Sequence, residues 1–246
     1  MTTLTRSDLM QVGLRHSLLQ VTWFEGGMQN IGLSYCMIPG LRRIYPDAET
    51  LKAVLLRYQA PFNTHPFLAG VIMGGLLKME EEHRPVNEIE CFKQNAMSIL
   101  AALGDPFFRS ALPTFVAVSA SLAAIFGGVA AGILTLLLLF NAVHIAIRCF
   151  GIAAAYREGP DVLKRIAVWL SPNRTLRLKA VSAAGAGLVL VVSALTFGTP
   201  DHFLWQAGVA GLISPALAYS LIRWEKVRLY AVPVVLVVLI LIEVSI

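Results

Sequence analysis

Residues 110–147 contain no Asp, Glu, Lys or Arg. A helix needs about 20 apolar residues to cross the hydrocarbon core of a bilayer, so this stretch is long enough for one span and most of a second. Gly127, Gly128 and Gly132 mark the turn between them, and the second helix runs on to about Tyr156 with Arg148 inside it. Uncharged stretches recur at 180–200 and at 203–222, and an apolar run whose one charge is Glu243 extends from about 229 to the end. These runs are apolar on every side, which fits helices solvated by lipid rather than by water. Composition agrees: 57% of the residues are hydrophobic and 14% are charged, where a soluble domain has about a quarter charged. The chain therefore reads as an all-α, polytopic integral membrane protein with about five spanning helices in its C-terminal half.

The loops orient these spans. Segment 157–179 holds Arg157, Lys164, Arg165, Arg174, Arg177 and Lys179 against Glu158 and Asp161, and segment 223–228 is also basic. The link 198–202 has neither Lys nor Arg. Lys and Arg accumulate on the cytoplasmic side, so the first two loops are expected inside, the link outside, Arg109 inside and the C-terminus outside. The net charge of +5 is explained by topology and implies no nucleic acid. Cys36, Cys91 and Cys149 are too scattered for a metal-ligand pair or a disulfide framework. The opening residues 1–15 are polar and do not read as a signal peptide.

Residues 1–109 differ, with acidic and basic residues roughly balanced, so the chain divides into an N-terminal helical part, 1–109, and a transmembrane bundle, 110–246. Ser7 or Asp8 is expected to cap a helix with Met10, Leu14, Leu18 and Val21 on one face, lying in the membrane interface or against a partner. Pro46 and Asp47 open another helix, with Leu51, Val54, Leu55 and Tyr58 facing one way. Residues 58–77 are uncharged but broken by Pro61 and Pro66, with Gly70, Gly74 and Gly75 behind them and Gln59, Asn63, Thr64 and His65 at the front. Irregular backbone at membrane depth is tolerated only against protein or a water-filled cavity. This segment reads as a re-entrant or broken helix of the kind that lines transport sites, the alternative being a surface loop followed by a buried helix. Glu80, Glu81, Glu82 and His83 are adjacent, so they diverge on a helix and read as a solvated helix end rather than a metal site.

Four stretches in order carry a resemblance: MQNIGLSYCMIPGLRRIYP (28–46), PFNTHPFLAGVIMGGLLKMEEE (61–82), GDPFFRSALPTF (104–115) and LFNAVHIAIRCFGIAAAYREGPDVL (139–163). Together they resemble the IID component of the mannose/fructose/sorbose-type bacterial phosphotransferase system. The resemblance implies a plasma (inner) membrane permease subunit that pairs with a IIC subunit, in trimers of the two-subunit unit. A hexose is carried in and phosphorylated by cytoplasmic IIA and IIB proteins, so no catalytic residue, cofactor or metal is expected in this chain. The sequence departs from the family around Trp23: a pattern like W-N-x-E-R-M-Q is here Trp23-Phe24-Glu25-Gly26-Gly27-Met28-Gln29. The approach to Gly104 is shorter than usual, and the region before the last spans is reduced.

A sugar site needs neutral amides, hydroxyls and a carboxylate or two. Asn63, Thr64 and His65 meet that need between two prolines, and Gln29, Asn30 and Asp105 complete the substrate-binding set. Each has a structural alternative. Asn63 and Thr64 can cap the following helix, and His65 can stand in for an amide or couple protons. Gln29 and Asn30 can pair within the fold, and Asp105 can form a turn or a cap. Asn141, His144 and Arg148 share a helical face and read as structural or as a subunit contact. Arg42, Arg43, Lys52 and Arg57 read as interfacial anchors or as a docking face. The competing function is a non-transporting membrane scaffold or sugar-sensing receptor. A membrane enzyme is disfavoured, since no nucleophile, acid–base pair or metal cluster has suitable spacing.

Overall fold

The computed structural model describes residues 4–197, and its named elements are all helices. The expected spans at 203–222 and from 229, the link 198–202, the basic loop 223–228 and the C-terminus lie outside the described residues. The chain forms two compact units. One contains the residues up to Arg109 together with Leu139–Pro172, and the other contains Ser110–Leu138 with the chain from Asn173.

The first unit opens with α1 (Arg6–His16). Its cap is Thr5, not Ser7 or Asp8. The Thr5 hydroxyl oxygen accepts from the Asp8 N–H while the Asp8 carboxylate accepts from the Thr5 N–H, a reciprocal box that satisfies two otherwise unpaired donors. Val12 and His16 turn inward. Met10 and Leu14 are exposed, and Leu18 and Val21 lie beyond the helix in exposed turns. Helix α2 (Asn30–Ile44) and α3 (Ala48–Arg57) follow. Helix α3 begins where Pro46 and Asp47 were expected to open it, with Asp47 as its cap, accepting from the Thr50 N–H at 2.8 Å, and Val54 and Tyr58 are buried behind it.

After Tyr58 the backbone leaves the helix and resumes it only at Ala69. Helix α4 (Ala69–Glu81) is the centre of the unit, with every residue buried except Lys78 and Glu81. Its glycines allow close neighbours. A β-carbon on Gly74 would stand 2.3 Å from the Ile152 carbonyl oxygen, so only glycine lets that backbone approach. At its end, Glu80 is not solvated: it is 1% exposed. It accepts from the hydroxyls of Tyr45 (2.8 Å) and Tyr58 (2.5 Å) and pairs with Arg57 (2.5 Å). Arg57 is thereby an internal tie rather than an interfacial anchor. Glu81 accepts from the Leu4 N–H and the Tyr156 hydroxyl, and Glu82 pairs with Arg84 and Lys78. Three adjacent carboxylates point in three directions, as helical geometry requires, and two of them tie separate segments of the unit together.

Helix α5 (Val86–Pro106) continues through a π-helical stretch, Phe107–Ala111, into α6 (Leu112–Glu158). Pro106 lacks the N–H that an α-helix would use, and the wider π turn absorbs the defect. Within α6, Gly128 has φ 84° and ψ 168°, a conformation essentially reserved for glycine. The chain reverses there. A β-carbon on Gly132 would lie 2.7 Å from the Ala124 β-carbon and 3.0 Å from the Ala120 carbonyl oxygen, whereas 12 residues of straight helix span about 18 Å. The hairpin lies where the glycines predict it. In the second unit, α8 (Pro172–Phe197, preceded in the chain by α7, Val162–Trp169) approaches the first arm, Gly185 facing Val118. The helical run Val86–Ser193 contains a window of mean hydropathy 2.5 of which 6% is buried, long and apolar enough to cross a membrane. Segment 157–179 is helical rather than a loop: Gly159–Asp161 is a 3₁₀ turn, α7 spans Val162–Trp169, and Pro172 starts α8, the first-turn position where proline is favoured.

Candidate functional site

The site is built where the chain before α2 meets the broken segment before α4. Residues 24–28 form a tight loop: the N–H groups of Phe24 and Met28 each donate to the other's carbonyl, at 3.3 and 2.7 Å. Met28 adopts φ 57°, a left-handed conformation uncommon outside glycine. A β-carbon on Gly27 would lie 2.5 Å from both the Asn30 amide and the Phe24 ring, so a larger residue there must displace one or both of these side chains. It then pairs with the broken segment. The Gln29 N–H donates to the Phe62 carbonyl (2.8 Å) and the Phe62 N–H to the Gly27 carbonyl (3.3 Å).

Side chains complete this junction. Gln29, 2% exposed, donates through Nε2 to the Thr64 carbonyl (3.0 Å) and accepts the Thr64 N–H at Oε1 (3.3 Å). One amide thus satisfies both backbone groups of a buried residue. The Thr64 hydroxyl donates to the Met97 carbonyl of α5 (3.2 Å). The Asn63 N–H donates to Met97 Sδ (3.0 Å), while its exposed side-chain amide has no partner among the described residues. Neither Asn63 nor Thr64 caps α4, whose N-cap is Leu68.

A cleft of about 310 Å³ opens over this junction, at the small end of the roughly 300–1,000 Å³ typical of small-molecule sites. It brings together Gln29, Asn63, Thr64 and Asp105 and adds Trp23, Gln20 and Arg109. Asp105 is neither a turn residue nor a cap. It lies in the last turn of α5 and pairs with Arg109 at 3.2 Å. The π-helical stretch carries Arg109, and such stretches recur at functional positions. The i,i+4 spacing of Asp105 and Arg109 was readable as a pair. Trp23 and Gln20 had no such signal, because the fold of loop 24–28 brings them in.

Asn30 and His65 are elsewhere. Asn30 donates to the Gln59 carbonyl (2.5 Å) and accepts the Ile31 N–H (2.7 Å). His65 is 4% exposed. Its ring stacks on Phe108 (4.8 Å between centroids), and its Nδ1 accepts the Phe67 N–H at 3.3 Å. Gly104 presses on it from α5. Next to it, Phe67 gathers the shared face of α6: His144 stacks on its ring at 4.6 Å, the Arg148 guanidinium lies 5.0 Å from its centroid, and Asn141 bonds His144 (2.8 Å). That trio anchors the broken segment.

The cleft offers a free amide, a carboxylate, a guanidinium and an exposed indole. Neutral and charged hydrogen-bonding groups beside an aromatic face suit an uncharged polyol, whose hydroxyls take the polar groups and whose C–H face packs on the ring.

Residues 3–196 match the family described as the PTS system mannose/fructose/sorbose family IID component. The mannose-specific EIID component of Escherichia coli (strain K12) is 38% identical over 168 residues, covering 65% of this chain and 59% of that protein. The fructose permease IID component of Bacillus subtilis (strain 168) is 31% identical, covering 67% of this chain and 61% of that protein. The chain thus spans about three fifths of the length of these curated relatives. Among solved structures, a chain of the mannose transporter ManYZ in complex with microcin E492, determined by cryo-EM, is similar with a TM-score of 0.60 and 26% identity, covering 100% of this chain and 97% of that one. A second membrane protein structure is similar with a TM-score of 0.64 and 25% identity, covering 99% and 96%.

Proposed function

We propose, from the premise that the chain belongs to the IID components of the mannose/fructose/sorbose family of phosphotransferase systems, that it binds a hexose of that class and carries it across the membrane together with a IIC subunit. The observation that carries this reading is the cleft that unites Gln29, Asn63, Thr64 and Asp105 with Trp23 and Arg109. In this reading Asn63, Asp105 and Arg109 take hydroxyls and Trp23 takes the ring face. Gln29 and Thr64 act chiefly by fixing the backbone that presents Asn63. The chain performs no covalent chemistry: IIA and IIB partners phosphorylate the sugar. It works in a bacterial plasma (inner) membrane as a multi-pass protein with its C-terminus outside, in a trimer of IIC–IID units. The non-helical backbone between Tyr58 and Ala69 sits at membrane depth, sheltered by the protein around it.

The test is sugar uptake by cells expressing this chain with its IIC partner. Wild type is expected to support uptake of a mannose-class hexose and Asn63→Ala to lower it; unchanged uptake in Asn63→Ala and Asp105→Asn refutes the cleft. A second reading has one observation in its favour. The loop between the cleft residues Trp23 and Met28 carries Gly26 and Gly27 where the family pattern carries a Glu–Arg pair, so this chain lacks two polar side chains beside the cleft. Absence of uptake in wild type, with the IIC partner still bound, supports a membrane scaffold or sugar-sensing receptor instead.

A further inference from the structure

A second, larger opening lies on the same unit, away from the sugar cleft. It is a groove of about 980 Å³ between α1 and the last turns of α6. Each wall is one helical face. On α1 the face repeats through Arg6, Leu9, Met10, Gly13 and Leu14, and on α6 through Ile145, Cys149, Ile152, Ala153 and Arg157, the three- and four-residue spacings that line up along a helix. The two walls run antiparallel: the Leu4 N–H donates to the Tyr156 hydroxyl (3.3 Å) at one end, while Ser17 and His144 lie at the other. The α6 wall from Ile145 to Arg157 is about 18 Å long at 1.5 Å per residue.

The lining is amphipathic in an ordered way. Met10 and Leu14 on one wall and Ile145 on the other are 63%, 69% and 48% exposed. The two exposed guanidiniums, Arg6 and Arg157, share the end closed by Leu4 and Tyr156, and neither makes an ion pair or hydrogen bond among the described residues. The carboxylates near that end are engaged elsewhere, Glu81 by the Leu4 N–H, the Tyr156 hydroxyl and Lys78 and Asp8 by the Thr5 N–H and hydroxyl, so neither forms an ion pair with the two arginines. Arg148, further along, is held over Phe67. The groove therefore has an apolar trough about one leaflet long, half of a hydrocarbon core of about 30 Å plus its headgroup layer, and a doubly cationic mouth. The basic segment that begins at Arg157 marks this mouth as cytoplasmic, the side on which anionic lipids are presented to proteins.

We propose that this groove is a binding site for an anionic phospholipid of the cytoplasmic leaflet, with its phosphate between Arg6 and Arg157 and an acyl chain along Met10, Gly13, Leu14, Ile145 and Cys149. Lipid would cover apolar surface that neither helix covers for the other. It would also fasten α1 to the helix that touches α4 at Gly74. The proposal rests on the membrane reading and is independent of the sugar cleft.

The test is native mass spectrometry of the full chain purified with its IIC partner, titrated with phosphatidylglycerol and with phosphatidylethanolamine. Each guanidinium near a membrane surface is worth about fivefold in affinity for an anionic lipid, so wild type is expected to prefer phosphatidylglycerol by roughly thirtyfold. Arg6→Gln with Arg157→Gln is expected to abolish the preference, and Arg6→Lys with Arg157→Lys to keep most of it. Gly13→Phe, which fills the trough and leaves both cations, is expected to lower binding of both lipids. No preference in wild type, or a preference unchanged in the double glutamine variant, overturns the proposal. So does displacement of the lipid by inorganic phosphate, which would mark an anion site without a trough. Loss of the IIC partner from the variants, with lipid binding intact, also overturns it and makes the groove a subunit interface. Sugar uptake measured in parallel separates these outcomes from failure of the cleft.

Discussion

Replacing Gln29 with alanine tests whether the cleft has been divided correctly between residues that hold it and residues that touch substrate. The Gln29 amide supplies two hydrogen bonds to Thr64, at 3.0 and 3.3 Å, in a buried setting. Alanine leaves the Thr64 carbonyl and N–H without that partner. An orphaned buried group costs about 1–3 kcal/mol. Counting the longer bond at the low end, the variant is expected to lose roughly 2–4 kcal/mol of stability. Asn63→Ala is the control. Its side chain is exposed and unpartnered among the described residues, so its stability should stay within about 0.5 kcal/mol of wild type. Its sugar affinity should fall roughly two- to twelvefold for the loss of a hydrogen bond worth about 0.5–1.5 kcal/mol. Unfolding of the full chain in detergent and sugar binding by the IIC complex measure the two quantities separately. A stable Gln29→Ala chain that has lost sugar binding would show that the amide faces substrate. An Asn63→Ala chain destabilised as much as Gln29→Ala would show that Asn63 is part of the scaffold. Either result refutes the division.

Three further substitutions bear on the frame. Glu80→Ala leaves Arg57 partly buried without its partner and frees two tyrosine hydroxyls, and should cost about 3–5 kcal/mol; Glu80→Gln, which still accepts from Tyr45 and Tyr58, should cost less, both read from denaturation midpoints. Gly74→Ala puts a carbon 2.3 Å from the Ile152 carbonyl oxygen; with backbone on the receiving side it should cost about 1–3 kcal/mol as an overpacked contact, read by thermal unfolding. Gly128→Ala, at φ 84° with open space around it, meets no clash, so its loss of about 1–3 kcal/mol should come from backbone strain alone and should be matched by Gly128→Ser.

Local chemistry was legible wherever one residue's own preference decided the outcome. Gly128 breaks the apolar run because no other residue tolerates its conformation, and Asp47 caps α3 because a short carboxylate reaches the N–H three residues on. Thr5 was missed because three capping residues stand within four positions, Thr5, Ser7 and Asp8. The choice among them is made by the reciprocal bond, in which Asp8 serves as the third helical residue rather than as the cap. Glu80 was misread for a different reason. A run of three carboxylates is usually solvated, and only the convergence of Tyr45, Tyr58 and Arg57 from α2 and the end of α3 makes its burial affordable.

The cleft was half legible, and the missing half has one cause. Asn63 and Gln29 attracted attention as polar residues in apolar surroundings, but their meeting depends on Met28 and Phe62 lying side by side, a contact across more than thirty positions that no periodicity records. The same pairing sorts neighbours from one another. One step past Gln29 the helix has begun, so the Asn30 amide is rotated away toward the Gln59 carbonyl. One step past Thr64 the extended backbone turns the His65 ring beneath Gly104 and onto Phe108. Adjacent polar residues that look equivalent in sequence thus take opposite duties, one facing the cleft and the next locking its wall. Trp23 enters for the converse reason: the loop 24–28 brings it into the cleft that Gln29 also lines. A substitution at Gly27 should therefore damage sugar binding through Trp23 without touching any group that contacts the sugar. Gly27→Ala in wild type and in Trp23→Ala decides the point: if its effect on affinity persists undiminished when the indole is gone, the loop serves some end other than placing that ring.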